Sequence, residues 1–130
     1  MEALIFDTTF LIDFQRERCR GKGRAHRFLE NCKEHYARIS AVTLGEFAEG
    51  FDNLADPILL SVADSYEILP VDVAVAKTYA RITRALRSDG NLIGANDLWI
   101  AATALHHENS VVTRNADHFT RIPGLLIKGY

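Results

Sequence analysis

Hydrophobic and polar positions along the chain follow two interleaved periods. The short apolar run Ala3 to Phe6 is followed at once by Asp7-Thr8-Thr9, which reads as a strand feeding a helix start. The helix expected over Thr9 to Gln15 runs into a polar turn holding Gly21 and Gly23. From Arg24 to His35, Ala25, Phe28, Leu29 and Cys32 recur at helical spacing. Tyr36 to Ser40 reads as a second strand, and Thr43 opens another short helix. Asp56 to Asp64 suits a helix, and Glu67 to Leu69 a third strand stopped by Pro70. The longest periodic segment starts at Asp72, with Val75, Tyr79, Ile82 and Leu86 on one stripe, and breaks between Ser88 and Gly94. An apolar helix then runs from Asn96 through Leu105, and Ser110 to Thr113 and Leu125 to Ile127 supply two more strands.

Strands alternating with helices imply an α/β fold around a mainly parallel sheet of about five strands. Ligands of such sheets bind in the crevice beyond the strands' carboxyl ends. That rule draws attention to Asp7 and to the segment after Thr113. No repeat or linker divides the 130 residues, a length that favours one domain over 1–130. A chain of that size buries roughly two thirds of its unfolded surface and needs no disulfide or metal staple.

Fifteen basic and 17 acidic side chains leave a net charge of −2, so nucleic-acid binding would have to come from a local patch. One such patch exists: Arg16, Arg18, Arg20, Lys22, Arg24 and Arg27 lie close together against the single acid Glu17. It reads either as a phosphate-attracting surface or as a solvated loop and helix face. Cys19 and Cys32 are too few for a disulfide framework or a zinc site and read as free thiols in a reducing compartment. The start MEALIFDTTF is unlike a signal peptide, and no apolar run approaches the ~20 residues of a membrane span. A cytoplasmic location and no membrane partner are expected. The five histidines show no metal-ligand spacing and are expected at the surface; Trp99 is expected in the core.

Four acids stand out: Asp7, Glu46, Asp97 and Asp117. Each has a plain structural explanation. Asp7 can cap the helix after the first strand, and Thr43-Leu44-Gly45-Glu46 fits a capping box. Asn96-Asp97 can be a cap followed by an acid facing the helix dipole, and Asp117 can be a solvated loop residue. As a set they point elsewhere: helix-start acids at one sheet edge would repel unless cations sat between them, although the sequence alone does not bring Glu46 and Asp97 to the crevice of Asp7. Mg²⁺ and Mn²⁺ are bound by just such carboxylates together with water and substrate phosphates.

The segments FDTTFLIDF, ISAVTLGEFAEG, NDLWIAATAL and VVTRNADHFTRIPGL together resemble the PIN domain, and more narrowly the VapC toxins of toxin–antitoxin pairs. The resemblance covers nearly the whole chain in the right order. It implies a three-layer sandwich and a metal-dependent endoribonuclease using Mg²⁺ or Mn²⁺. The family's acids carry over onto Asp7, Glu46 and Asp97, with Asp7 and Asp97 as main metal ligands and Glu46 ligating metal or orienting water. Thr8 and Thr113 match supporting hydroxyl positions. Many PIN domains carry an acid where this chain has Asn115, so either Asp117 completes the site or its fourth corner is neutral. Arg114 and Arg121 flank the expected site as further RNA contacts. The resemblance also implies a VapB-like antitoxin and a homodimer. The neutral Asn115 leaves open a PIN-like module that binds RNA or protein without cleaving it. A phosphatase of the haloacid-dehalogenase type would want an acid at Thr9, and a receiver domain a lysine near Arg114, so phosphotransfer is disfavoured.

Overall fold

The computed structural model describes residues 2–32 and 34–130. Strand β1 (Glu2–Phe6) leads into helix α1 (Thr8–Arg20), and α2 (Arg24–Asn31) precedes β2 (His35–Ser40). Helices α3 (Ala41–Ala48) and α4 (Pro57–Ser65) come before β3 (Glu67–Leu69). The long α5 (Val73–Ser88) and α6 (Ala95–His106) lead to β4 (Ser110–Val112), the short α7 (Ala116–Phe119) and β5 (Ile127–Lys128). The five strands form one sheet in the order β3-β2-β1-β4-β5, and every pairing is parallel. The α/β expectation is met.

Alternation along the strands sets the layers, because successive strand side chains point to opposite faces. Leu4 and Phe6 join Phe10, Leu11, Ala25, Phe47 and Leu59 in a core formed with α1 to α4. Ile5, between them, joins Val75, Ile82, Leu86, Ile100 and Phe119 on the side of α5 to α7. Val112 and Val111 divide in the same way. Helices therefore cover both faces, and near-continuous apolar strands such as Leu4-Ile5-Phe6 are what a sheet buried on both sides demands. Trp99, expected in the core, is half-buried at the margin of this second core and stacks on Tyr79 with ring centroids 3.8 Å apart.

The strand order places the site. After β1 the chain builds β2 and β3 on one side, then crosses through α5 and α6 to lay β4 against the other side of β1. The crevice between the carboxyl ends of β1 and β4 is thus a topological switch point, where open α/β sheets bind ligands.

Several boundaries differ from the sequence expectation. Helix α1 extends to Arg20 because Arg, Glu and Gln propagate a helix after its apolar stripe has ended. Helix α2 stops at Asn31 and β2 starts at His35, so the helix expected to His35 is shorter; Lys33 lies outside the described residues. Ser40, not Thr43, caps α3, its hydroxyl accepting from the Val42 N–H at 3.1 Å. The last strand lies at Ile127–Lys128 rather than Leu125 to Ile127. Helix α7 has four residues, too few to show a period. The histidines are not uniformly at the surface: His26 and His35 are half-buried, and His26 stacks on Phe14 at 4.0 Å.

The turn between α1 and α2 depends on one acid. Gly21 takes φ +101, a conformation open to glycine at no steric cost. Beyond it, Glu17 reaches across the turn and accepts from the N–H groups of Gly23, Ala25 and His26 at 2.7, 3.0 and 3.0 Å. It also meets the His26 ring at 2.8 Å. A Cβ at Gly23 would lie 2.7 Å from the Glu17 carboxyl carbon, so only glycine admits this approach. The lone acid of the basic stretch therefore satisfies the free N–H groups at the start of α2, whose N-cap is Gly23. Burial disfavours its charge, but the His26 and Ala25 bonds outweigh that and hold its pKa down at about 2. Because the folded value lies below the unfolded one, this contribution is full above about 4.5 and drains as pH falls toward about 2. Glu17→Ala, leaving three donors unmade, should lose roughly 1–3 kcal/mol in urea unfolding at neutral pH, with a smaller loss near pH 3.

Candidate active site

Asp7 follows β1 directly and is only 3% exposed. Its backbone N–H continues the β1–β4 ladder to the Val112 carbonyl at 2.9 Å, which fixes the residue at the sheet's carboxyl edge. Its side chain caps α1: Oδ1 accepts from the Thr8 N–H at 2.6 Å. Oδ2 accepts from the hydroxyls of Thr113, at 2.8 Å, and Thr9, at 3.2 Å. Thr113 is itself fully buried and accepts the Asn115 N–H at 2.9 Å, so the turn after β4 is tied to the same carboxylate. A carboxylate offers about four lone-pair sites. Three are used, and the remaining one is free for a further partner.

Glu46 arrives from α3 and Asp97 from the first turn of α6. The capping-box reading of Glu46 does not hold, since Ser40 supplies the cap and the buried Thr43 hydroxyl has no partner. Glu46 instead accepts the Thr8 hydroxyl on Oε1 at 2.6 Å and the Asn96 amide on Oε2 at 3.1 Å. Gly94 rather than Asn96 is the N-cap of α6, which leaves the Asn96 side chain available for that bond. Asp97 is close enough to Asp7 for its charge to be felt there. Burial is the main cause raising the Asp7 carboxyl above the ordinary carboxylate range, and Asp97 adds to it; bonds from Thr113, Thr8 and Thr9 oppose without cancelling.

Asp117 stands in the first turn of α7, exposed, with its backbone carbonyl accepting from Thr120. No hydrogen bond among the described residues ties its side chain to the other acids. The neighbouring His118 makes that link, with Nδ1 2.9 Å from Asp97 Oδ2. Asn115 is exposed and its side chain caps nothing. Thr9, Asn96 and His118 are thus members of the site that sequence reasoning missed. Thr9 and Asn96 each adjoin a residue already singled out, whereas His118 carried no signal without α7.

Arg114 lies beside the site, but its guanidinium pairs with Asp13 at 2.8 Å, and the Tyr130 hydroxyl donates to the same carboxylate. Arg121 is exposed and meets the Leu92 carbonyl at 3.4 Å. Arg16, Arg18 and Arg20 are exposed on the far half of α1, roughly 13–20 Å along the axis from Asp7 at 1.5 Å per residue. Lys22 pairs with Glu30, and Arg24 and Arg27 are exposed on α2. A cavity of about 340 Å³ opens between α1, β2 and α4, lined by Leu11, Phe14, Phe47, Val62 and Tyr66 among others. None of the four acids lines it; its walls are mainly apolar, with Arg18 and His35 among its polar residues.

Carboxylates from three elements thus meet hydroxyl and amide supports at the switch point. The sequence model of the PIN domain matches residues 4–125. This chain belongs to the PIN-domain family. Within it the chain groups with VapC proteins: a ribonuclease VapC1 of Rickettsia felis is 32% identical, over 94% of this chain and 92% of that one. DNA-bound VapBC from Salmonella typhimurium superposes with a TM-score of 0.74 at 31% identity, covering 99% of this chain and 98% of that chain. VapBC2 from Rickettsia felis, bound to a promoter DNA fragment, gives a TM-score of 0.81 at 22% identity, covering 98% of each, and supports the fold alone.

The donor set of this PIN domain fits a hard divalent cation. A buried carboxylate facing a second one is costly while both are charged, and a cation relieves that cost. Among the described residues no three acidic, imidazole or thiol side chains already surround a single point as a cage.

Because the folded Asp7 is harder to ionise than the unfolded one, its contribution is favourable below about 3.8 and is lost as pH rises through the folded value. Asp7→Asn should therefore raise the metal-free melting temperature at neutral pH, with the gain vanishing near pH 3.

Proposed function

We propose that this protein is a divalent-metal-dependent endoribonuclease acting as the toxin of a VapBC-type pair. The observation that carries the proposal is the convergence of Asp7, Glu46 and Asp97 at the switch point of a PIN fold. In this reading residues 1–130 form one catalytic domain, and Asp7 and Asp97 hold the ion, Mg²⁺ or Mn²⁺. A divalent ion there would supply positive charge for the phosphate and acidify water at neutral pH.

The chain's own groups do the positioning. Thr113 and Thr9 hold one Asp7 oxygen and the Thr8 N–H the other, so the carboxylate cannot swing away from the crevice. Thr8 and Asn96 each hold one oxygen of Glu46, orienting it to direct the attacking water or to ligate metal. Asn115 supports Thr113 through its backbone N–H. Asp117, on the turn beside His118, is assigned an outer supporting role. Hydrolysis by such a site needs no protein nucleophile.

RNA contact is assigned to Arg114 and Arg121 near the crevice and to the exposed series Arg16, Arg18, Arg20, Lys22, Arg24 and Arg27 farther along the surface. An RNA crossing the acids toward α1 would meet these cations in turn, which supplies affinity that a net charge of −2 does not. A VapB-like antitoxin and a homodimer complete the reading, supported by likeness to a solved VapBC complex at 31% identity. Among the described residues no helix is long and apolar enough to cross a membrane; the cytoplasm is the proposed location.

The test is cleavage of a mixed RNA pool with Mg²⁺ or Mn²⁺, against a chelated control. Asp7→Ala and Asp97→Ala should each cut the rate on the order of 10²–10³-fold, as expected for removing a main electrostatic support. Asp117→Ala should cost only about tenfold, the low end for a supporting group. Metal-independent cleavage, or full activity in the Asp7 and Asp97 variants, would remove the nuclease assignment from this crevice.

A further inference from the structure

We infer that His118 is a nitrogen ligand to the divalent ion held by Asp97, so that this site favours first-row transition ions over Mg²⁺. The inference rests on the metal-site reading above and deepens it.

The geometry is the first ground. His118 Nδ1 lies 2.9 Å from Asp97 Oδ2. Adjacent ligands of an octahedral ion with bonds of about 2.1 Å stand about 3 Å apart, the same spacing. A hydrogen bond has this length too, so the distance must be weighed with its surroundings. The pair sits on the crevice that Asp7 and Glu46 share, where negative charge already accumulates. Among the described residues no protein group accepts from His118 Nε2. The tautomer with its proton on Nε2 gives up the Asp97 hydrogen bond and sets the Nδ1 lone pair against Asp97 Oδ2 at 2.9 Å, an arrangement that a cation shared by the two would compensate. The side chain is 52% exposed, leaving room for the waters of a partly hydrated ion.

The second ground is placement. His118 is not a loose surface residue. Its helix is pinned on one side by Phe119, fully buried in the core beside α6. On the other side the Asn115 N–H ties the turn to Thr113, and Thr113 to the Asp7 carboxylate. The imidazole is thus carried by the same framework that fixes the acids. Asp117, the acid expected here from sequence, rides on the same helix, but among the described residues no hydrogen bond joins its side chain to Asp97.

The chemical consequence follows from ligand preference. Mg²⁺ favours oxygen donors and surrenders water reluctantly. Imidazole binds first-row transition ions better, increasingly along the series from Mn²⁺ to Cu²⁺. One nitrogen among carboxylates therefore moves the site away from Mg²⁺.

The probe is Mn²⁺ added to chelator-treated whole protein, followed by electron paramagnetic resonance. Bound Mn²⁺ in the wild type should show the ¹⁴N coupling of a directly attached imidazole. His118→Glu should retain bound Mn²⁺ without that coupling, and Asp97→Asn should lose the ion. Displacement of Mn²⁺ by Mg²⁺ should need a larger excess in wild type than in His118→Glu, by on the order of tenfold. His118→Gln, with circular dichroism and melting to verify the fold, separates loss of the ligand from loss of structure. Bound Mn²⁺ without directly attached nitrogen in the wild type would overturn the inference while leaving the carboxylate site intact; His118 would then only hydrogen-bond Asp97. Folded wild type that binds no Mn²⁺ would instead remove the metal-site reading on which the inference stands.

Discussion

A single carboxylate, that of Asp7, is buried at the carboxyl edge of the central strand, and the architecture around the crevice is organised to keep it there. Left alone in an apolar interior, such a charge would be severely penalised. Here it caps α1 through Thr8, receives the hydroxyls of Thr9 and Thr113, and so joins the β1–α1 junction to the turn after β4. These bonds lower the cost of ionisation without removing it, since burial and the charge of Asp97 keep the group above its ordinary range. The site holds unspent repulsion that a cation relieves, which is one physical reason for a nuclease of this kind to need metal.

Sheet topology decides where that charge can be useful. With β2 and β3 on one side of β1 and β4 on the other, the connections after β1 and β4 leave the sheet in different directions and open a crevice between them. Asp7 and Thr113 occupy the two rims. Helices α3 and α6 then bring Glu46 and Asp97, and each acid comes with its own second partner: Thr8 and Asn96 for Glu46, His118 for Asp97. The acids are not a loose negative patch but groups whose oxygens are individually held. Cations are kept at a distance by their own pairings: Arg114 is committed to Asp13, and the basic run lies along the outer half of α1 and on α2. Without that separation the basic groups would neutralise the acids directly and compete with metal.

Much of this was legible in the residues. The alternation of apolar runs and helical stripes specified the α/β layering, because a strand buried on both faces and a helix buried on one leave different periods. The turn residues and caps located most element starts, as at Asp56 and Asp72, whose side chains do accept from the first-turn N–H groups. Asp7, Glu46, Asp97 and Asp117 stood out in the bare sequence, where each had a sufficient local explanation; the family resemblance supplied the convergence of the first three. For Asp7 that local explanation is also true. It caps its helix and faces the crevice at once, so the two readings were never exclusive.

What the sequence determined by itself was governed by neighbours along the chain: the periods, caps such as those at Asp7, Asp56 and Asp72, the strand-then-acid at Phe6-Asp7 and the basic run before α2. Only the tertiary structure decided the contacts between residues far apart in the chain. Glu46 meets Thr8 across 38 positions and Asn96 across 50, and Thr113 meets Asp7 across 106. His118 reaches Asp97 from a four-residue helix with no period to read. Local periodicity records which face of an element is buried, but not which distant side chain will stand opposite a given carboxylate. That choice is made by strand order and packing, and here they placed a histidine beside Asp97 where the sequence suggested Asp117.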